Sequence, residues 1–162
     1  NIVNISCGDF NWIKEIVNEF KYYRGVEIVK DLIKDNKEKY KNFENVDFMV
    51  ADVITEFDKC IKGKDIDAVI LKDVLVHFPN KYVMKVLDSL HKSSIKYVFI
   101  THFDSIELNC DIGEFNGWRP QNFTLSPWKM DKPLESIISP TEEYKWGDND
   151  NTDKTLSLWQ IK

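Results

Sequence analysis

Residues 4–12 read NISCGDFNW, and the reading of this stretch governs the rest of the chain. It opens inside the run Ile2, Val3, Asn4 and Ile5, mainly apolar, long enough for a buried strand and too short for a helix. Ser6, Cys7 and Gly8 then break the run with small residues. From about 12 to 22, Ile13, Ile16, Val17 and Phe20 recur at helical spacing, which predicts an amphipathic helix. A strand that leaves through a glycine into a helix is the first half of a parallel α/β unit.

The same alternation continues outward. RGVEIV predicts a second strand ending at Glu27, and KDLIKDNKEKYKN a polar helix with a thin apolar face. VDFMVADV supplies a third strand, residues 68–71 a fourth, and IKYVFITHF a fifth. The helix between the last two carries Val83, Val86, Leu87 and Leu90. Regular alternation of strand and helix predicts an open, doubly wound, mainly parallel α/β sheet. After Phe103 the pattern stops. Residues 104–133 are rich in Asn, Asp, Gly and Pro but carry Phe115, Trp118, Phe123 and Trp128, which predicts a long aromatic flap over the sheet. The turn-rich GDNDNTDK leads to an alternating terminal strand in KTLSLWQIK.

At 162 residues the expectation is a single domain, 1–162, with a sizeable core. The chain lacks an initiator Met and opens almost at once on a strand, so an N-terminal segment is expected to be missing. A formal net charge of −5 argues against nucleic acid as a partner, since phosphate backbones need a basic footprint. The 3 cysteines are widely spaced and form no zinc pattern with His77, His91 or His102, so no metal is expected and a reducing, cytoplasmic location fits. No apolar run reaches the roughly 18–20 residues of a membrane span. The sequence leaves the oligomeric state open.

In open α/β sheets ligands sit beyond the carboxyl ends of the strands. Gly8 lies at the first such end, where a glycine lets the backbone approach a ligand closely and the following helix presents free N–H groups. Glu27 follows Gly8 by 19 residues and ends strand two, where a carboxylate can accept hydrogen bonds from ribose hydroxyls. Asp52 and Asp73 stand at the ends of strands three and four. Each acid alone reads equally as a helix or turn cap. Together they point to a nucleoside-type site.

NISCGDFNW, GVEIV, FMVADV, DAVILKDVLVHF and YVFITHF, with GWRPQNF and the terminal DKTLSLWQI, resemble the class I S-adenosylmethionine-dependent methyltransferases, most closely their bacterial and viral small-molecule branch. The resemblance spans nearly the whole chain. It implies a Rossmann-like methyltransferase fold and S-adenosyl-L-methionine as cofactor. By the same resemblance Gly8, flanked by Ser6 and Trp12, would lie against the methionine part. Glu27, followed by Ile28, would hold the ribose, and Asp52 with Val53 the adenine. Lys72 and Asp73 would close over the methionyl end and face the substrate. Asn4 and Ser6 stand where the family carries an acid and its first glycine, changes that would weaken cofactor binding or rearrange the loop.

Methyl transfer to a hydroxyl needs an aligned nucleophile and a base for its proton. His77 and His102 are the candidates. His77, four residues after Asp73, would share a helix face with that carboxylate, or else pack beneath the flap. His102 ends strand five. Trp12 and Phe10 offer faces for a sulfonium cation, or pack into the core. Trp118 and Arg119 are the substrate-binding candidates, the arginine suiting a carboxylate or phosphate unless it only ties the flap down. The leading expectation is a methyltransferase acting on a small polar metabolite, a sugar or phosphorylated group of a surface glycan pathway by resemblance. A non-catalytic cofactor-binding or partner subunit is the alternative. An NAD-dependent oxidoreductase is disfavoured, because SCGDFN lacks the third glycine of the dinucleotide fingerprint.

Overall fold

A computed structural model describes residues 1–115, 117–138, 145–146, 149–150 and 153–161. A 7-stranded sheet forms its centre. In chain order the elements are β1 (Ile2–Ile5), β2 (Tyr23–Glu27), α1 (Lys30–Lys39), β3 (Val46–Val50), α2 (Phe57–Ile61), β4 (Ala68–Leu71), α3 (Asn80–Lys92), β5 (Tyr97–Phe103), β6 (Glu135–Ile138), β7 (Lys145–Trp146), β8 (Asn149–Asp150) and β9 (Lys154–Gln160). The strand order is β3-β2-β1-β4-β5-β9-β6, with β7 and β8 as a separate pair. Strands β1 to β5 run parallel, and β9 lies antiparallel between β5 and β6. Four of the residues in the turn-rich 147–154 stretch, 147, 148, 151 and 152, fall outside the described residues.

The parallel strands bury both faces, which is why they read as continuous apolar runs. On one face Val3, Ile5, Val69, Leu71, Val98 and Ile100 meet Val83, Val86, Leu87 and Leu90 of α3. On the other, Phe10, Ile13, Val17 and Tyr23 gather with Ile33 and Tyr40 from α1 and its end, around Phe48. Gly25 sits between these layers for a steric reason. A Cβ there would lie 2.8 Å from Phe48 Cδ1 and 2.9 Å from Cys7 Sγ.

The helix expected over 12–22 is instead a short 3₁₀ helix, Lys14–Glu19, and Ile16 is exposed. Asn45 explains its early end. Its Nδ2 donates to the carbonyls of Val17 and Phe20, both at 2.9 Å, while the Phe20 N–H turns back to Val17. The long segment 104–133 is also more firmly packed than a flap. Phe123 and Trp128 are core residues, and buried Asn122 donates to the carbonyls of Asp104 and Ile106. Phe115 alone of the four aromatics stays more than half exposed. Among the described residues, no helix is long and apolar enough to cross a membrane.

Candidate active site

The strand order changes direction at β1, whose neighbours are β2 and β4. Its carboxyl end is therefore the crevice where ligands of open α/β sheets collect. The loop leaving β1 is held in an unusual backbone path, with φ of 59° at Ser6, 58° at Gly8 and 68° at Phe10. Ser6 thus takes the left-handed conformation that glycine tolerates, at the position where the resemblance expects a glycine. Helix α1 holds this loop from below: Asn36 Nδ2 donates to the Gly8 carbonyl at 2.8 Å, and the Tyr40 hydroxyl to that of Asp9 at 3.1 Å. Asn4 does not face the crevice as a free acid would. It is buried, donating through Nδ2 to the Tyr23 hydroxyl at 2.8 Å.

Glu27 closes the loop from the β2 side. Its Oε1 accepts the Ile28 N–H at 2.8 Å, whereas Oε2 receives only long contacts, 3.4 Å each, from Ser6 Oγ and the Gly8 N–H. One carboxylate oxygen is committed and the other is loosely held. Beside it opens a cleft of ≈ 400 Å³ whose lining includes Ser6, Glu27, Ile28, Asp52, Val53 and Phe115. Its wall is mostly apolar, as Ile28, Val53, Ile54, Phe78 and Phe115 imply. Phe115 packs edge-on to Phe78 at 5.6 Å and stacks on Tyr82 at 4.8 Å. Asp52 borders the cleft but spends its carboxylate as a cap, accepting the Ile54 N–H at 2.8 Å and the Thr55 hydroxyl at 3.0 Å.

A second polar cluster lies at the ends of β4, β5 and β9. Asp73, in the left-handed region at φ 56°, accepts Lys72 Nζ at 2.7 Å and Lys154 Nζ at 2.8 and 2.9 Å on its two oxygens. Buried Thr101 takes the Asp73 N–H at 2.7 Å and returns its hydroxyl to Oδ1 at 3.2 Å. Burial pushes the Asp73 carboxyl up, but the two ammonium groups outweigh it and hold the acid below its usual range. The Lys72 ammonium also sits 5.5 Å from the centre of the Trp12 ring. Trp12 therefore presents its face to a lysine, and Phe10 is fully buried among Tyr23, Tyr40 and Phe48.

The histidines separate cleanly. His77 ends the 3₁₀ turn Leu75–His77 and is exposed, with Nδ1 3.1 Å from the Gly117 carbonyl. The expected His77–Asp73 pair does not form, because Asp73 precedes that turn in a left-handed conformation and its oxygens go to the lysines. His102 is fully buried. Its Nδ1 receives the Phe123 N–H at 3.1 Å, so Nε2 carries the proton and donates to Asp104 at 2.9 Å. With both nitrogens engaged, it is a core linkage and not a base. Arg119 likewise turns inward, donating to the carbonyls of Cys110 and Val76 and to Asn80 Oδ1 at 2.8, 3.1 and 2.7 Å. Its fork ties the 104–133 segment to the start of α3, while Trp118 meets Phe103 edge-on at 5.8 Å. Burial, with the Glu27 charge nearby, pushes the Cys7 thiol up to about 12, which leaves it inert as a nucleophile. Among the described residues no group of His, Cys, Asp and Glu is arranged to hold a metal.

This is the fold of the class I S-adenosylmethionine-dependent methyltransferases, as solved structures attest. The SAM-bound magnesium protoporphyrin IX methyltransferase of Synechocystis PCC 6803 superposes with a TM-score of 0.66 at 12% identity, covering 99% of this chain and 69% of that one. In the SAH-bound form of that enzyme the match is 0.52 at 17% identity, over 65% of this chain and 48% of the other. The N-methyltransferase NodS from Bradyrhizobium japonicum WM9 gives 0.64 at 10% identity, over 99% of this chain and 85% of that one. The chain thus spans between about half and most of the length of these enzymes. No protein-family model and no curated protein matches the sequence.

Proposed function

We propose that the chain is an S-adenosyl-L-methionine-dependent methyltransferase acting on a small polar metabolite, a sugar or phosphorylated group of the surface-glycan kind being the acceptor the resemblance favours. The observation that carries this reading is the loosely held Glu27 Oε2 at the mouth of the apolar cleft. A ribose offers that oxygen the strong donors it lacks, and the walls made by Ile28, Val53, Ile54 and Phe78 suit a flat heterocycle. A Cβ at Gly8 would point into open space, so the loop leaves room for a ligand against its backbone. The residues present fit the cofactor.

When bound there, S-adenosylmethionine supplies a methyl group on a cationic sulfur. The chain's own part is to hold that donor, to position the acceptor and to remove its proton. His77 fits the last role: the Gly117 carbonyl can only accept, so Nδ1 carries the proton and Nε2 keeps its lone pair for a hydroxyl or ammonium. The alternative, a non-catalytic cofactor-binding or partner subunit with this fold, draws on Asn4 and Ser6. Its partner-subunit form, without cofactor, is disfavoured because Ser6 keeps the glycine-like backbone and Asn4 is absorbed in a buried bond to Tyr23. Calorimetry with S-adenosylhomocysteine and with NAD tests the proposal. Binding of the first alone is expected; binding of neither would favour the partner subunit.

A further inference from the structure

We propose that Lys72 and Lys154, bridged by Asp73, form an anion-binding subsite that takes a phosphate or carboxylate carried by the methyl acceptor. The inference rests on the methyltransferase reading for its ligand, but the trio lies beside the cofactor cleft and not in its lining. Val74 lines that cleft, and the preceding residue, Asp73, begins the lysine cluster, so the two sites abut along one strand end.

Charge gives the first argument. The protein carries a formal net charge of −5, and the cleft's own polar side chains include Glu27 and Asp52. An anionic acceptor approaching this end of the sheet needs a local cation to hold it. Arg119, the expected cation, is buried and spends its guanidinium on Cys110, Val76 and Asn80. The lysine pair supplies what the arginine does not.

Construction gives the second. Two ammonium groups converge on one carboxylate, leaving a net charge of one positive unit in the trio. Asp73 offsets the repulsion between the lysines and fixes both of them. It is itself fixed by Thr101, which is buried and bonded to both its N–H and its Oδ1. Each ammonium has three donors, and among the described residues Asp73 is the partner they use. The side chains are partly open to solvent, 28% for Lys72 and 17% for Lys154, so an ion can reach the remaining N–H groups. The Trp12 ring, its centre 5.5 Å from the Lys72 ammonium, gives that side chain a second anchor at the rim of the cluster.

The test uses inorganic phosphate as probe on the full chain, with and without saturating S-adenosylhomocysteine, read by amide and indole N–H shifts. Saturable shifts are expected at Asp73, Thr101 and Trp12. Lys154→Met should weaken phosphate about ten-fold or more, the loss of a charged hydrogen bond, while S-adenosylhomocysteine affinity changes little, and Lys72→Met should weaken phosphate as well. Asp73→Asn should act in the opposite direction and tighten phosphate, since the trio gains a positive charge. A gain of binding cannot come from a misfolded variant. Shifts of equal size at the exposed lysines of 37–41, or no change in any variant, would overturn the subsite. A parallel loss of S-adenosylhomocysteine in Lys154→Met would overturn it too, by giving that lysine to the cofactor's own carboxylate. Failure of the methyltransferase reading looks different: the homocysteine analogue would not bind, while the phosphate shifts and their dependence on Lys154 would persist.

Discussion

His77 and Gly117 are joined by a bond of 3.1 Å between Nδ1 and the backbone carbonyl. That contact fixes one tautomer and turns Nε2 into an acceptor. His102 has the opposite arrangement, with Nδ1 accepting from Phe123 and Nε2 donating to Asp104. His77→Ala is therefore expected to lower turnover by about 10²–10⁴, with S-adenosylhomocysteine affinity within a few-fold. His102→Ala should instead lower the melting temperature, because it leaves the Phe123 N–H without its acceptor. Steady-state kinetics beside thermal melts separates the two; normal turnover in a folded His77→Ala would remove it from the mechanism.

Glu27 has one committed and one available oxygen. Glu27→Ala should weaken S-adenosylhomocysteine by roughly 2–4 kcal/mol, the scale of two charged hydrogen bonds to ribose hydroxyls before non-additivity. Titration calorimetry reads the loss directly. An unchanged affinity in a folded variant would sink the ribose assignment.

Two glycines should fail in different ways. Gly25→Ala forces a methyl to within 2.8 Å of Phe48 and 2.9 Å of Cys7, so it is expected to cost ~1–3 kcal/mol of stability by overpacking. Gly8→Ala meets nothing within 4 Å, and its cost is the ~1–2 kcal/mol of a left-handed backbone. Its added methyl stands where a ligand would approach. Denaturant melts should thus show both variants destabilised, and cofactor titration should rank Gly8→Ala as the weaker binder.

Asp73 makes stability depend on acid. Its folded carboxyl titrates below the usual aspartate range, so the unfolded chain takes up the proton first as pH falls. The stabilisation is present above the ordinary aspartate value and disappears as pH drops through the lower, folded one. Asp73→Asn should flatten that acid limb while lowering stability at neutral pH. Melts at a series of acidic pH values would show it; parallel curves for the two proteins would count against the pairing with Lys72 and Lys154.

Thiol chemistry offers a simple check of the packing. Cys7 and Cys60 are buried and their thiols are pushed up to about 12 and about 11, by burial first and by the charges of Glu27 and Glu56 respectively second. Cys110 is exposed. A thiol reagent at mildly alkaline pH should label Cys110 quickly and the other two only on unfolding. Fast labelling of Cys7 would mean that the loop after β1 opens readily.

Much of this architecture is legible in the residues. AVIL at 68–71 is bounded by polar residues and is β4 to the residue, and the apolar spacing of Val83, Val86, Leu87 and Leu90 marks α3. Helix α2 escapes because FDKCI is too short to show a period, and β6 because ESII is exposed along its length and carries no alternation. Within the site, Gly8 and Glu27 can be read from strand ends. Lys154 cannot: it meets Asp73 across 81 residues, through an antiparallel strand inserted late into the sheet. Asn36 and Tyr40 look like the polar face of a surface helix until the loop folds over them. Arg119 misleads for the reverse reason, since charged side chains are seldom buried and a flap arginine reads as a surface group.

The place of β9 between β5 and β6 also bears on how the molecule is made. Among the strands of the central sheet, β9 leaves the ribosome last, yet among the described residues β6 has no other partner and β5 has no other neighbour on that side. Until it emerges, the nascent sheet stops at an open β5 margin and the 135–138 segment waits unpaired. Such a margin is a template for stray strand addition. A premature stop just before residue 154 should therefore yield an aggregation-prone product, whereas a chain that includes β9 closes the sheet.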